Sequence, residues 1–279
     1  MAGLTKNKFL FVIVAIMLLI GNTTCEKNPT EPKKQTVPVL PPTASMKLDA
    51  SFFSNNPDAG LNKSLQSKSN FIAAAARVAF INAGVILASI MPSAVFAAAI
   101  TQQPVLQEDG KFHWIYSVSE GPFNFSVDLV GWIDVPDTEA VWEVYVSSNN
   151  YLTPLNRFLW YQGRSKIGNK QGWWVFHDPK SADSLRDVLR INWELDDELD
   201  HELIFTNVNS LSADVGDWLK YGIELSDRFL IFFDASANRT NTIYWNAETG
   251  AGFIEWFDYN NGAKSYWDEN KNDMTGPPA

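Results

Sequence analysis

From residue 112 onward the chain alternates. Phe112, Trp114, Tyr116 and Val118 are each separated by one residue, and Phe123, Phe125, Val127 and Leu129 repeat the pattern. A period of two puts every second side chain on one face of an extended backbone, so these runs read as half-buried strands. Similar runs occupy about 140–147, 157–163, 172–177, 188–195, 202–208, 218–225, 228–233, 242–246, 252–259 and 263–267. Turn formers separate many of them, at Asn149-Asn150, Gly168-Asn169, Thr249-Gly250 and Asn260-Asn261-Gly262. Short connections of this chemistry join antiparallel neighbours. The expectation is a mainly β fold, an antiparallel meander of about 10–12 strands; a flat sheet of that size would leave two adhesive edges, so a barrel or half-barrel is expected. Residues 180–187 offer one short helix, with Ser181 or Asp183 as its cap.

A second constraint is the run from Phe71 to Ile100, where Arg77 and Asn82 are the only strongly polar side chains. Pro92 interrupts it, which predicts a helix over about 70–90. Its bulky residues spread around most of the circumference, with Ala73, Arg77, Gly84 and Ala88 as a narrow small-or-polar stripe. A helix apolar nearly all round is buried in protein or in lipid. The reading favoured here is one Ala-rich helix packed against the sheet, with Arg77 reaching a carboxylate or solvent. A membrane span and a second signal-like segment are the alternatives.

The balance of 22 basic against 32 acidic residues gives a net charge of −10, with no basic block, which argues against a nucleic-acid partner. One cysteine excludes an internal disulfide and any multi-thiolate metal site. That cysteine, Cys25, closes an N-terminal segment in which Lys6 and Lys8 precede an apolar run from Phe9 to Ile20 and then Gly21, Asn22, Thr23 and Thr24. This layout is that of a secretory signal. It resembles the signal peptide of bacterial lipoproteins, and the resemblance covers only these first residues. It implies that residues 1–24 are removed, that Cys25 is acylated, and that the protein is held to a bacterial envelope membrane, expected to be the outer membrane, by those acyl chains.

Residues 26–45 contain five prolines and no hydrophobic period, so 25–45 reads as the lipidated cysteine and an extended tether. The remaining divisions are a helical segment at 46–109, the β domain at 110–270 and a flexible tail at 271–279. Loss of the signal leaves 20 basic against 32 acidic side chains, so anionic lipid should repel the domain, leaving the acyl chains to meet the membrane. The expected half-barrel with a helix on its concave side is similar in topology to the periplasmic lipoprotein carriers, although no motif of that family is matched.

Motifs for chemistry are few. Glu194, Asp196, Asp197, Glu198, Asp200 and Glu202 cluster around His201, but without the glycine and final glutamate of an EF-hand, and the stretch reads as a solvated hairpin tip with calcium as the alternative. His113, His177 and His201 sit at no metal-ligand spacing and read as strand residues. His177 and Asp178 are neighbours on a strand and point to opposite faces, so they do not form a base and its orienter. No nucleophile elbow, phosphate loop or dinucleotide fingerprint is present, and no catalytic residue, metal or cofactor is assigned.

The 11 tryptophans either fill the core or stack on sugars. Adjacent Trp173 and Trp174 must face opposite sides. The leading expectation is a non-catalytic, lipid-anchored envelope protein that binds an apolar ligand or serves as a structural or assembly module. A surface glycan-binding lipoprotein is the alternative, and a carboxylate-based hydrolase is third.

Overall fold

The computed structural model describes residues 35–55, 68–134, 138–181, 185–196 and 200–277, and for 82–91 the backbone alone. The strands are β1 (Val105–Leu106), β2 (Phe112–Glu120), β3 (Phe123–Asp134), β4 (Glu139–Ser148), β5 (Leu155–Lys166), β6 (Gln171–His177) and β7 (Asp187–Leu195). They continue as β8 (Asp200–Asn207), β9 (Trp218–Glu224), β10 (Asp227–Asp234), β11 (Arg239–Asn246), β12 (Gly252–Glu255), β13 (Ser265–Trp267) and β14 (Asp273–Met274). All fourteen form one antiparallel meander in sequence order, and the sheet does not close. The mainly β reading therefore holds, and the expected count of 10–12 was too low.

The added strands are the edges. β1 and β14 have two residues each, too short to carry a period, and such short edges present little unpaired backbone to other chains. The stretch 271–279, expected to be a tail, contains β14, which pairs with β13. The run at 252–259 is a strand only to Glu255, followed by an isolated bridge between Trp256 and Tyr259. Of the helix expected at 180–187, the described residues show a 3-10 turn at Pro179–Ser181, and 182–184, with Asp183, lie outside them.

Among the described residues two α-helices accompany the sheet, α1 (Ser51–Ser54) and α2 (Ser69–Ala99). α2 overruns the predicted end at about Ile90 and carries Pro92 inside it. Proline there removes one amide donor and crowds the preceding turn, at about 3 kcal/mol. Burial beyond the proline offsets that cost, because Val95, Phe96 and Ala99 are fully buried. Two buried tyrosines also hold this stretch, Tyr161 donating its hydroxyl to the Pro92 carbonyl at 3.0 Å and Tyr116 to the Val95 carbonyl at 2.6 Å.

The start of α2 is tied to the other end of the chain. Lys68 supplies no side-chain cap, and Asp273 on β14 accepts instead from the Ser69 and Asn70 amides at 3.1 and 2.8 Å. A carboxylate at that terminus satisfies free N–H groups and suits the helix dipole. Phe71 then packs against Phe53 and Trp267, and Phe96 against Trp174. Arg77 reaches a carboxylate as expected, that of Asp258, and lies over the rings of Trp256 and Tyr259. Among the described residues no helix is long and apolar enough to cross a membrane. Gly84 and Ala88 of the small stripe lie among the residues described by backbone only.

The folded unit begins earlier than the expected tether boundary at residue 45. Compact contacts start at Val37; Pro38, Pro41, Ser45 and Met46 are buried, and the Ser45 hydroxyl accepts from the Trp174 indole at 3.1 Å. Prolines at 38, 41 and 42 thus shape a packed segment along the sheet.

The tryptophan load has a structural explanation in pairs across neighbouring strands. Eight of the eleven tryptophans are buried, including Trp114, Trp142, Trp160, Trp245 and Trp256. Gly131 is the register partner of Trp142, Gly163 of Trp174, Gly172 of Trp193 and Gly252 of Trp267. In each pair the indole lies where a glycine Cβ would be, 2.4 to 2.6 Å away at the nearest ring atom. The ring covers the glycine's bare backbone, and a side chain at the glycine would displace it. Cross-strand pairs of this kind stabilise a sheet and help fix its register.

Candidate functional site

Cys25, the one residue given a role by the sequence, lies outside the described residues. The histidines are strand residues, as expected, and do not converge. His113 on β2 sits between Asp128 and Asp109, with Nδ1 2.7 Å from one carboxylate and Nε2 3.2 Å from the other, and Arg157 also binds Asp128. His201 on β8 packs near the ring of Tyr221. His177 is 3% exposed, with Nδ1 2.9 Å from Asp187 but off the line of its N–H, so neither ring nitrogen makes a hydrogen bond. Asp178 pairs instead with Arg186.

Burial pushes the His177 imidazole below its ordinary value of 6.5, with the Asp187 carboxylate opposing the shift. Burial and then the Arg228 charge do the same at His201, against Asp49. A histidine whose folded value is depressed binds a proton more readily unfolded. Its stabilising effect is therefore complete above about pH 6.5 and is lost as pH falls toward the folded value. The urea midpoint should accordingly decline between about pH 7 and 5, before the carboxylates titrate, and His177→Gln should flatten that decline. A midpoint independent of pH in this window would show that neither burial matters to stability.

The acidic stretch expected as a hairpin tip does join β7 and β8, with 197–199 outside the described residues. Among the described residues no group of three or more His, Cys, Asp and Glu is placed to hold a metal ion. Glu194 and Glu202 are direct register partners, and Glu202 pairs with Lys220.

The inner face of the sheet is occupied by the chain itself, by residues 43–53 and by α2, which join one continuous hydrophobic core. On the outer face the rings do not form a coplanar row. Trp218 and Phe233 stack face to face at 5.3 Å, as do Tyr244 and Phe253. Lys111 lies over Trp132 at 3.5 Å, Arg157 over Tyr145 at 4.0 Å, and Arg239 over Phe257 at 3.4 Å. These pairs hide ring faces that a sugar would need. As expected of adjacent residues, Trp174 is buried in the core while Trp173 lies on the outer face. Comparison with protein-family models, with curated proteins and with solved structures finds no match.

Besides a concavity of about 320 Å³ bounded by Asp49, Ser51, Phe52, Asn55, Tyr221, Arg228, Trp245 and Ala247, the described residues form two others. One is an apolar groove of about 490 Å³ at the rim of the sheet, walled by Val37–Pro42 on one side and Ile100, Gln102, Gln103 and Pro104 on the other, with Trp114 also lining it. Asn169 in the β5–β6 turn fixes the first wall, donating to the Val39 and Leu40 carbonyls at 2.9 and 3.0 Å. Val39 is 74% exposed, Ile100 57% and neighbouring Val105 60%. The other is a polar trough of about 320 Å³ on the outer face of β4–β8, lined by Glu139, Arg164, Lys166, Gln171, Gly172, Trp173, Asn192, Trp193, Glu194, Glu202 and Ile204. Sequence reading found neither, because each joins residues far apart in the chain.

Proposed function

We propose that the protein is a non-catalytic, lipid-anchored protein of the bacterial cell envelope, held by acyl chains on Cys25, and that its rim groove takes a hydrocarbon chain of the membrane. The groove carries this reading. Nine of its eleven lining residues are aliphatic, proline or tryptophan. Its volume falls in the range of small-molecule sites, about 300–1,000 Å³. Exposed apolar side chains gathered at one place mark a binding surface more often than isolated ones do.

The position of the groove in the chain supports the same reading. Val37, on its wall, is separated from Cys25 by residues 26–36. A chain of that length spans at most about 40 Å. An acyl anchor at Cys25 therefore keeps the groove within one short tether of the bilayer. The filled inner face supports the rim, not the interior, as the place for an apolar ligand. A reporter at residue 39 of the acylated protein should contact lipid hydrocarbon, and Cys25→Ala should remove both that contact and membrane association.

A further inference from the structure

We infer that the outer-face trough around Trp173 is a second binding site, for a neutral saccharide, separate from the anchor and the rim groove. Its geometry follows from the sheet register. Trp173 stands between Arg164 on β5 and Asn192 on β7, which are its direct partners. Gln171 faces Glu194 in the next row, and Glu194 faces Glu202. One aromatic ring is thus ringed by amides that donate and accept and by carboxylates that accept, the combination that recognises hydroxyls around an apolar sugar face.

The charges are largely compensated within the protein. Arg164 binds Asp134 and Glu139 at 3.1 and 3.3 Å, and Lys220 pairs with Glu202. What remains at the trough are Lys166 and Glu194, one of each sign, both exposed. Such a site suits a neutral polyol better than an anion or a cation. Asn192 is held in place by Arg190, which donates from Nε to Asn192 Oδ1 at 3.1 Å and covers one face of the Trp173 ring at 4.9 Å, so that a saccharide would meet the other face.

The test titrates the acylated protein in detergent with maltohexaose, the N-acetylglucosamine hexamer and a sulfated oligosaccharide, read by calorimetry. At least one neutral oligosaccharide should bind with a dissociation constant below about 1 mM. Trp173→Ala and Asn192→Ala should each weaken it at least tenfold, and Trp218→Ala, on the outer face beyond the trough, should leave it unchanged. Far-UV dichroism of each variant separates a lost site from a lost fold, and Asn192→Ala, a smaller change, carries the test should Trp173→Ala unfold. Absence of neutral-sugar binding up to about 10 mM, binding only of the sulfated oligosaccharide, or equal affinity in the folded variants would overturn the inference.

Discussion

A chain beginning at Thr101 should fail to fold cooperatively, although it retains every strand. It lacks Met46, Leu48, Phe53, Phe71, Val78, Val95 and Phe96, all buried against the inner face of the sheet. At about 1.5–3 kcal/mol for each buried side chain, their loss is on the order of 10–20 kcal/mol. That is as large as the whole stability of an ordinary domain, about 5–15 kcal/mol. It would also leave Trp174, Trp245 and Trp267 facing water without Phe96, Phe53 and Phe71. A chain beginning at Thr36, which keeps the packed prolines, should give one sharp urea transition by tryptophan fluorescence. Equal midpoints for the two chains would mean that 71–100 is a targeting or membrane element with no part in the core.

Gly163→Val should be among the most damaging single substitutions in the sheet. A Cβ at this position would lie 2.4 Å from the Trp173 carbonyl oxygen and 2.4 Å from Trp174 Cε3. Neither atom can give way cheaply, since one is backbone in a ladder and the other belongs to an indole fully buried in the core. Overpacking of this kind costs about 1–3 kcal/mol and more where nothing relaxes. Trp174→Ala attacks the same pair from the other side, leaving a cavity worth about 3–5 kcal/mol. Gly276→Ala is the control, with nothing within 4 Å of its added methyl. Urea midpoints unchanged by Gly163→Val would show that the glycine–tryptophan pairs are incidental to register.

The sheet was legible because its period is enforced residue by residue. Trp114, Tyr116, Val144, Val146, Ile191 and Trp193 are all buried, on the alternation read from sequence. Pro92 misled because local propensity opposed a tertiary gain; a proline's cost is visible in sequence, whereas the tyrosine hydroxyls on β2 and β5 that meet the helix there are not. The prolines at 38, 41 and 42 misled for the same reason, since composition suggests a tether and only the fold reveals a packed wall. The glycine–tryptophan pairs needed the register, which alternation does not supply. Both concavities needed it too, because the trough gathers residues from five strands and the groove joins Val37 to Pro104.

The contact proposed between the rim groove and the bilayer is measured most directly by a fluorophore on Val39→Cys in the acylated protein, bound to vesicles containing brominated acyl chains. With Cys25 acylated, the introduced thiol is the only one free to react. The reference is Leu211→Cys, equally exposed at 74% but in the β8–β9 connection, at the opposite ends of the strands from the β5–β6 turn that holds Val39. Strong quenching at 39 and little at 211, with both signals and vesicle binding abolished by Cys25→Ala, is the expected result. Vesicle-bound protein with equal quenching at the two positions, or with none at 39, would contradict the groove, and protein that never binds vesicles or incorporates fatty acid would contradict the anchor.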